Sequence, residues 1–281
     1  MEVIKSATRM QMVARKYRAE GRTIGLIPTA GHLHEGHLSL IRRAHELAEV
    51  IVVAIAPPLL EGGKPEGERR VRYLSDDVEV LSPLGIHYVF APSQEELFAE
   101  GACTEVVVRG LSERLYGATH PEHFVRLTTY LVILCNVVHP HFLVFGWKDA
   151  QQVAIVRRMV RDLHMDVEIV TCPIVRDADG LAIAPENELL TERERQSARV
   201  LSQALEKAQV LAAAGERNTA NILKAMREMI EAHPLIRIEY LAIVDGETLE
   251  PIPLLEDRPA VVMVAALVGK VRLSDNVLLN A

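Results

Sequence analysis

The run VIVVAIAP at residues 50–57 leaves this chain few ways to fold. A continuous apolar stretch of β-branched type is expected to be a strand buried on both faces, and such strands belong to parallel sheets covered by helices. The flanking segments agree. Residues 7–19 mix apolar and basic side chains as a helix does and stop before Gly21, and TIGLIP at 23–28 reads as a short buried strand closed by Pro28. From His34 onward, Leu38, Ile41, Ala44 and Ala48 recur every three or four residues, the period of an amphipathic helix. Strand, helix, strand is a βαβ unit with a right-handed crossover.

The alternation continues. RYLSDDVEVLSPLG, TYLVILCNVV and DAQQVAIVRRMVRDL read as helices, and IHYVFAP, HFLVFG and VEIVTCPIV as strands. The expected fold over residues 1–175 is therefore α/β, a doubly wound parallel sheet. After Val175 the pattern changes. Thr191 and Glu194 are spaced as a capping box for a helix to about Ala214, a second helix is expected near 219–232, and IRIEYLAIV and AVVMVAALVG read as strands. Residues 176–281 are expected to form a smaller α+β domain, with the boundary in the RDADG turn.

Bulk properties exclude several classes of function. Lys and Arg number 31 against 38 Asp and Glu, a net charge of −7, which argues against a general nucleic-acid binder. Three widely spaced cysteines form no C-x-x-C and read as thiols in a reducing compartment. The N-terminal segment has no apolar signal region, and the apolar segment 127–146 is broken by Asn136, His139, Pro140 and His141. The expectation is a cytoplasmic protein with no membrane partner.

In an open α/β sheet, ligands bind beyond the carboxyl ends of the strands, where helix N-termini offer N–H groups and a positive dipole end. Two segments fall there. The first is Thr29-Ala30-Gly31-His32-Leu33-His34-Glu35-Gly36-His37, in which the glycines admit close backbone approach. His34 and His37, three apart, are expected on one face of the first helical turn, with His37 exposed and packing little. Imidazoles in that place donate to phosphate as a phosphoanhydride breaks. The spacing is not H-E-x-x-H and no third ligand is evident, so no protein-held metal is expected. The second segment is Gly146-Trp147-Lys148-Asp149-Ala150-Gln151-Gln152, a lysine–aspartate pair opening a helix, suited to phosphate and ribose or a metal; a solvated helix start capped by Asp149 is the plainer alternative.

Five segments, taken in chain order, carry a resemblance: IPTAGHLHEGHLSLIRRA, GLSERLYGATHPEHF, FGWKDAQQ, IVRRMVRDL and VGKVRLSDN. Together they resemble the pantothenate synthetase family of pantoate–β-alanine ligases over nearly the whole chain. The resemblance implies a Rossmann-like nucleotidyltransferase of the HIGH type. It implies an enzyme that uses ATP and Mg²⁺ to activate pantoate as an acyl-adenylate, releases pyrophosphate, and passes the acyl group to β-alanine with release of AMP. It implies catalytic roles for His34, His37 and Lys148, with His37 the proton donor. ATP contacts carry over to Thr29, Ala30, Gly31, His34, His37, Gly146, Trp147, Lys148, Asp149, Val175, Ile183, Ala184, Pro185 and Glu186, and the acid-substrate contact to Gln152. Family members are usually homodimers.

The departures cluster at that site. Ala30 stands for a methionine and His32 for an alanine of the family's first signature, and APPLLEGG replaces the segment whose asparagine and glutamine serve the acid. Ala184-Pro185-Glu186-Asn187 replaces S-S-R-N, whose arginine binds phosphate. A charge-assisted contact of that kind contributes roughly 1.5–3 kcal/mol, about one or two powers of ten in affinity. Arg126 and Arg176 are the candidate replacements. Three readings stand: a divergent pantoate–β-alanine ligase; the same chemistry on a more apolar acid or amine, with Leu59, Leu60 and Trp147 lining the pocket; and a non-catalytic relative that keeps the fold.

Overall fold

The computed structural model describes residues 1–57 and 67–279, with the backbone alone for 67–73. Leu59 and Leu60 lie outside the described residues. Two compact units emerge, one formed by residues 1–147 with 155–172, the other by 148–154 with 173–281.

The first unit holds a parallel sheet of β1 (Glu2–Ile4), β2 (Ile24–Thr29), β3 (Val50–Ile55), β4 (Tyr88–Phe90), β5 (Phe142–Gly146) and β6 (Glu168–Cys172). Its order is β1-β4-β3-β2-β5-β6. Helices α1 (Ala7–Ala19), α2 (Glu35–Leu47), α3 (Gly67–Leu81), α6 (Pro121–Val138) and α7 (Ala150–Asp162) connect the strands, with short α4 (Gln94–Leu97) and α5 (Tyr116–Thr119) between. All six residues of β3 are buried, as its unbroken apolar run requires. The inner face of α2 presents Leu40, Ile41 and Ala44 to a core shared with Ile27, Ile51, Val53 and Val144. Burying each larger side chain contributes about 1.5–3 kcal/mol, so this layer sets the height at which α2 begins.

Strand order decides where a ligand can enter. From β2 the chain winds outward through β3 and β4 on one side, and through β5 and β6 on the other. The winding reverses between β2 and β5, and the carboxyl ends of those neighbouring parallel strands flank the crevice of a doubly wound sheet.

The apolar segment 127–146 resolves into α6, the left-handed residue His139 (φ 44°) and β5. Among the described residues no helix is long and apolar enough to cross a membrane.

The second unit packs α8 (Glu192–Ala213) and α9 (Thr219–Glu231) on an antiparallel sheet of β7 (Ile236–Asp245), β8 (Ala260–Val268) and β9 (Val271–Leu279). Thr191 and Glu194 form the expected capping box: the Thr191 hydroxyl accepts from the Glu194 N–H at 3.3 Å, and the Glu194 carboxylate accepts from the Thr191 N–H at 2.9 Å. Alanines 198, 204, 208 and 212 line the buried face of α8, and small side chains let it sit close to Val262 and Val264. Strands β1 and β9 and helices α4 and α5 are additions to the expected elements. Three of them are too short to show a period. The fourth, β9, carries Ser274-Asp275-Asn276 where an alternating strand would be apolar.

Candidate active site

In the first unit, the turn after β2 is built by side chains that hold its own backbone. The buried Thr29 hydroxyl accepts from the Gly31 N–H at 3.1 Å and lies 3.0 Å from His37 Nε2. Gly31 (φ 89°) and His32 (φ 54°) are left-handed in succession, a step that glycine takes freely and histidine does not. His34 is extended and is the N-cap of α2, its Nδ1 accepting from the Gly36 N–H at 3.1 Å. A Cβ at position 36 would stand 2.8 Å from the His34 ring, so glycine there lets the imidazole reach the backbone. His37 Nδ1 in turn accepts from the His34 N–H at 3.4 Å. An imidazole thus fills the place that Ser, Thr, Asp or Asn take at most helix starts.

This corrects two expectations. His34 does not share the helical face with His37; it is the capping residue outside the first turn. The two rings still meet, with centroids 4.1 Å apart and planes tilted by 45°. Nor does His37 stand exposed. It is half-buried and braces both Thr29 and the cap. In the neutral rings, an Nδ1 that accepts a backbone N–H places the proton on Nε2. The backbone donors of Gly31, His34 and Gly36 are already engaged, so the chemistry of this turn belongs to its side chains.

Beside it, β5 ends at Gly146, where an added Cβ would meet only Leu40 Cδ2 at 4.0 Å. Trp147 follows, half-buried, with the Arg157 guanidinium 5.7 Å from its ring centroid. The chain then runs directly into Lys148 and Asp149.

In the second unit, the Lys148 carbonyl accepts from Asn276 Nδ2 at 2.8 Å, which ties the segment 148–154 to β9. Lys148, Glu186, Asn187, Arg272, Ser274 and Asp275 line a cavity of about 70 Å³ floored by Leu181 and Leu201. Asp149 is exposed, Gln151 is buried (5% exposed) and Gln152 half-buried. Val175 and Ile183 are partners in a small hairpin, Ile183 N–H donating to the Val175 carbonyl at 2.9 Å. Ala184 is buried, Pro185 opens a 3-10 turn over 185–189, and Glu186 is exposed on it. Asn187, which sequence reasoning passed over, is 8% exposed, and its Nδ2 donates to the Ala182 carbonyl at 3.0 Å, pinning the loop.

Both candidate replacements for the loop arginine are engaged in ion pairs. Arg176 forks onto Asp275 at 2.6 and 3.1 Å and donates to the Gly180 carbonyl, a structural pair that joins the hairpin to β9. Arg126 is paired with Glu122 one helical turn away. Arg272 is the second cation of the cavity, and its Nε donates to Glu239 at 2.7 Å.

An open parallel sheet whose neighbouring strands β2 and β5 lead into a histidine turn and Gly146-Trp147 is the α/β fold of the nucleotidyltransferase type. The comparisons with known proteins narrow the class. Residues 2–278 match the family described as pantoate-beta-alanine ligase. The pantothenate synthetase of Fervidobacterium nodosum is 42% identical over 281 residues, all of both chains, and that of Thermotoga neapolitana 43% over the same span. The crystal structure of the Thermus thermophilus pantothenate synthetase superposes with a TM-score of 0.89 at 36% identity over 99% of both chains. The Francisella tularensis pantoate-beta-alanine ligase, solved with beta-gamma ATP and beta-alanine, has the same fold at a TM-score of 0.77 and 23% identity, over 99% of this chain and 97% of that one. The chain belongs to the pantoate–β-alanine ligase family, and it is an enzyme of the ligase class.

Proposed function

We propose that this chain condenses pantoate with β-alanine in two ATP-driven steps. A pantoate carboxylate oxygen attacks the α-phosphorus of ATP, forming the mixed anhydride and displacing pyrophosphate. The β-alanine amine then attacks the acyl carbon, forming the amide, displacing AMP and giving its surplus proton to solvent. A mixed carboxylic–phosphoric anhydride is a good acyl donor, so the protein has chiefly to position the reactants and stabilise charge.

The single observation that carries this reading is the pair of imidazoles fixed by their Nδ1 atoms beside the switch point of the sheet. Their Nε2–H groups are the donors suited to the triphosphate, His37 exchanging its contact with Thr29 Oγ1 for a hydrogen bond to the departing pyrophosphate, with Thr29, Ala30 and Gly31 shaping the turn beneath. Gly146, Trp147, Lys148 and Asp149 serve ribose and phosphate, and Lys148 adds a cation to the developing charge. Val175 meets adenine through its N–H, since its carbonyl is held by Ile183. The loop Ile183, Ala184, Pro185 and Glu186 borders the nucleotide, and the Gln152 amide serves pantoate. Mg²⁺ neutralises phosphate charge when bound. The enzyme works as a cytoplasmic homodimer.

Pyrophosphate release tests this directly. Release from Mg·ATP is expected with pantoate and without β-alanine in a single turnover, and continuously once β-alanine is added. Release that needs a different acid would move the protein to another substrate, and none with any acid would make it a non-catalytic relative. Glu186 sharpens the reading. It takes the sequence position at which the family's S-S-R-N carries a phosphate-binding arginine, so Glu186→Arg is expected to lower the KM for ATP about ten- to a hundredfold, the range set by one charge-assisted contact. An unchanged KM would show that the loop tip does not reach phosphate.

A further inference from the structure

Asp77 is a buried charge that the mechanism above does not use. It lies on α3, is 3% exposed, and reaches across 45 residues of sequence to the turn after β2. Its Oδ1 accepts from the Leu33 N–H at 2.8 Å, and its Oδ2 from the His32 N–H at 3.1 Å. A carboxylate is costly to bury unless hydrogen bonds replace its water. Burial holds the Asp77 carboxyl above the usual carboxylate range, and the two backbone donors offset only part of that rise. Its neighbour Asp76 stays exposed, so charge alone does not draw this part of α3 inward.

What Asp77 holds is the least favourable part of the turn. The Gly31–His32 step is left-handed twice, and His32 has a Cβ that opposes it at a cost of roughly 1–2 kcal/mol. At position 31, a Cβ would stand 2.8 Å from Asp77 Oδ2, so glycine is what allows the carboxylate to close on the loop. Thr29, His34 and His37 hold the Gly31, Gly36 and His34 N–H groups from within the turn, whereas Asp77 braces it from another element. Without that brace, the step leading into the His34 cap has neighbouring conformations to explore.

We propose that Asp77 is a positioning residue for the ligase reaction: by clamping the His32 and Leu33 amides it fixes the turn that sets His34 and His37 in one geometry. It acts through the imidazoles and touches no reactant. The inference rests on the proposed role of the histidines, and its tests separate the two.

The first test is spectroscopic and independent of turnover. In the full-length chain, the imidazole ¹⁵N shifts of His34 and His37 should report unprotonated Nδ1 atoms. Asp77→Ala and the milder Asp77→Asn should move both sets of shifts while leaving those of His233, in the second unit, in place. Shifts unmoved in folded Asp77→Ala, or in Asp77→Asn if the alanine variant fails to fold, would overturn the proposal. The second test is a double-mutant cycle on acid-dependent pyrophosphate release. Asp77→Ala should slow release at least tenfold, and adding it to His37→Ala should slow that variant by less than threefold. Asp77→Asn, which keeps one accepting oxygen, should recover part of the loss, and Asp76→Asn should behave as the wild type. Losses that multiply in full would make Asp77 a structural residue independent of the imidazoles. If His37→Ala alone leaves release unchanged, the proposed role of the histidines fails while the shift experiment still judges the clamp.

Discussion

Replacing Arg176 with alanine is expected to destabilise the second unit by about 3 kcal/mol, toward the low end for removing one partner of a buried ion pair. Asp275 is 6% exposed on its side chain and Arg176 about a third exposed (32%), so the loss falls mainly on the carboxylate left behind. Two of its three hydrogen bonds come from the Arg176 fork, and the Asn276 N–H at 2.8 Å is the third. Urea unfolding measures the change. The effect belongs to the orphaned charge, so Arg176→Ala with Asp275→Leu is expected to recover much of it. A double variant no more stable than the single one would assign the loss to the hairpin contact with the Gly180 carbonyl instead. The ATP KM of the single variant should rise as well, because Val175 and Ile183 flank the residue that anchors their hairpin.

Arg176 also shows where sequence reasoning stops. A lone arginine near a loop that lacks its expected cation reads as a replacement, and only a partner 99 residues later turns it into structure. The same partner hides β9. Ser274-Asp275-Asn276 resembles a turn, but Asp275 is satisfied by Arg176, and Asn276, 1% exposed, donates to the Lys148 carbonyl. Polar residues can continue a strand inward when tertiary contacts meet their hydrogen bonds, and no local period reports that.

Where burial is continuous or strictly periodic, the pattern was sufficient. VIVVAI could hardly be other than a covered strand, and Leu40, Ile41 and Ala44 place α2 on that sheet without help from distant residues. The histidine turn was legible in position, because a strand end followed by a helix start is local information. Its internal chemistry was not. Whether an imidazole faces solvent or caps a helix depends on φ and ψ at Gly31 and His32, and these in turn depend on a carboxylate from α3. Asp76 and Asp77 are identical in the sequence; only the fold makes one a surface charge and the other a buried acceptor.

His37→Ala is expected to reduce acid-dependent pyrophosphate release by about 10²–10³-fold, the usual loss when one preorganised donor to developing charge is removed. Its half-buried position adds a structural cost. The His34 N–H loses its acceptor and Thr29 its imidazole partner, together on the scale of a helix cap, about 1 kcal/mol. The two costs separate experimentally, since a cap-sized loss lowers the melting temperature by a few degrees and leaves nearly all of the protein folded at assay temperature. Turnover should therefore fall far more than the folded fraction. The loss should appear in kcat with a smaller change in the ATP KM, because in the proposed mechanism the hydrogen bond donated to departing pyrophosphate matters most in the transition state. Equal losses in both would make His37 a ground-state phosphate ligand. Undiminished turnover in a folded variant would leave the ring as a wedge under the α2 cap and move the charge stabilisation to Lys148.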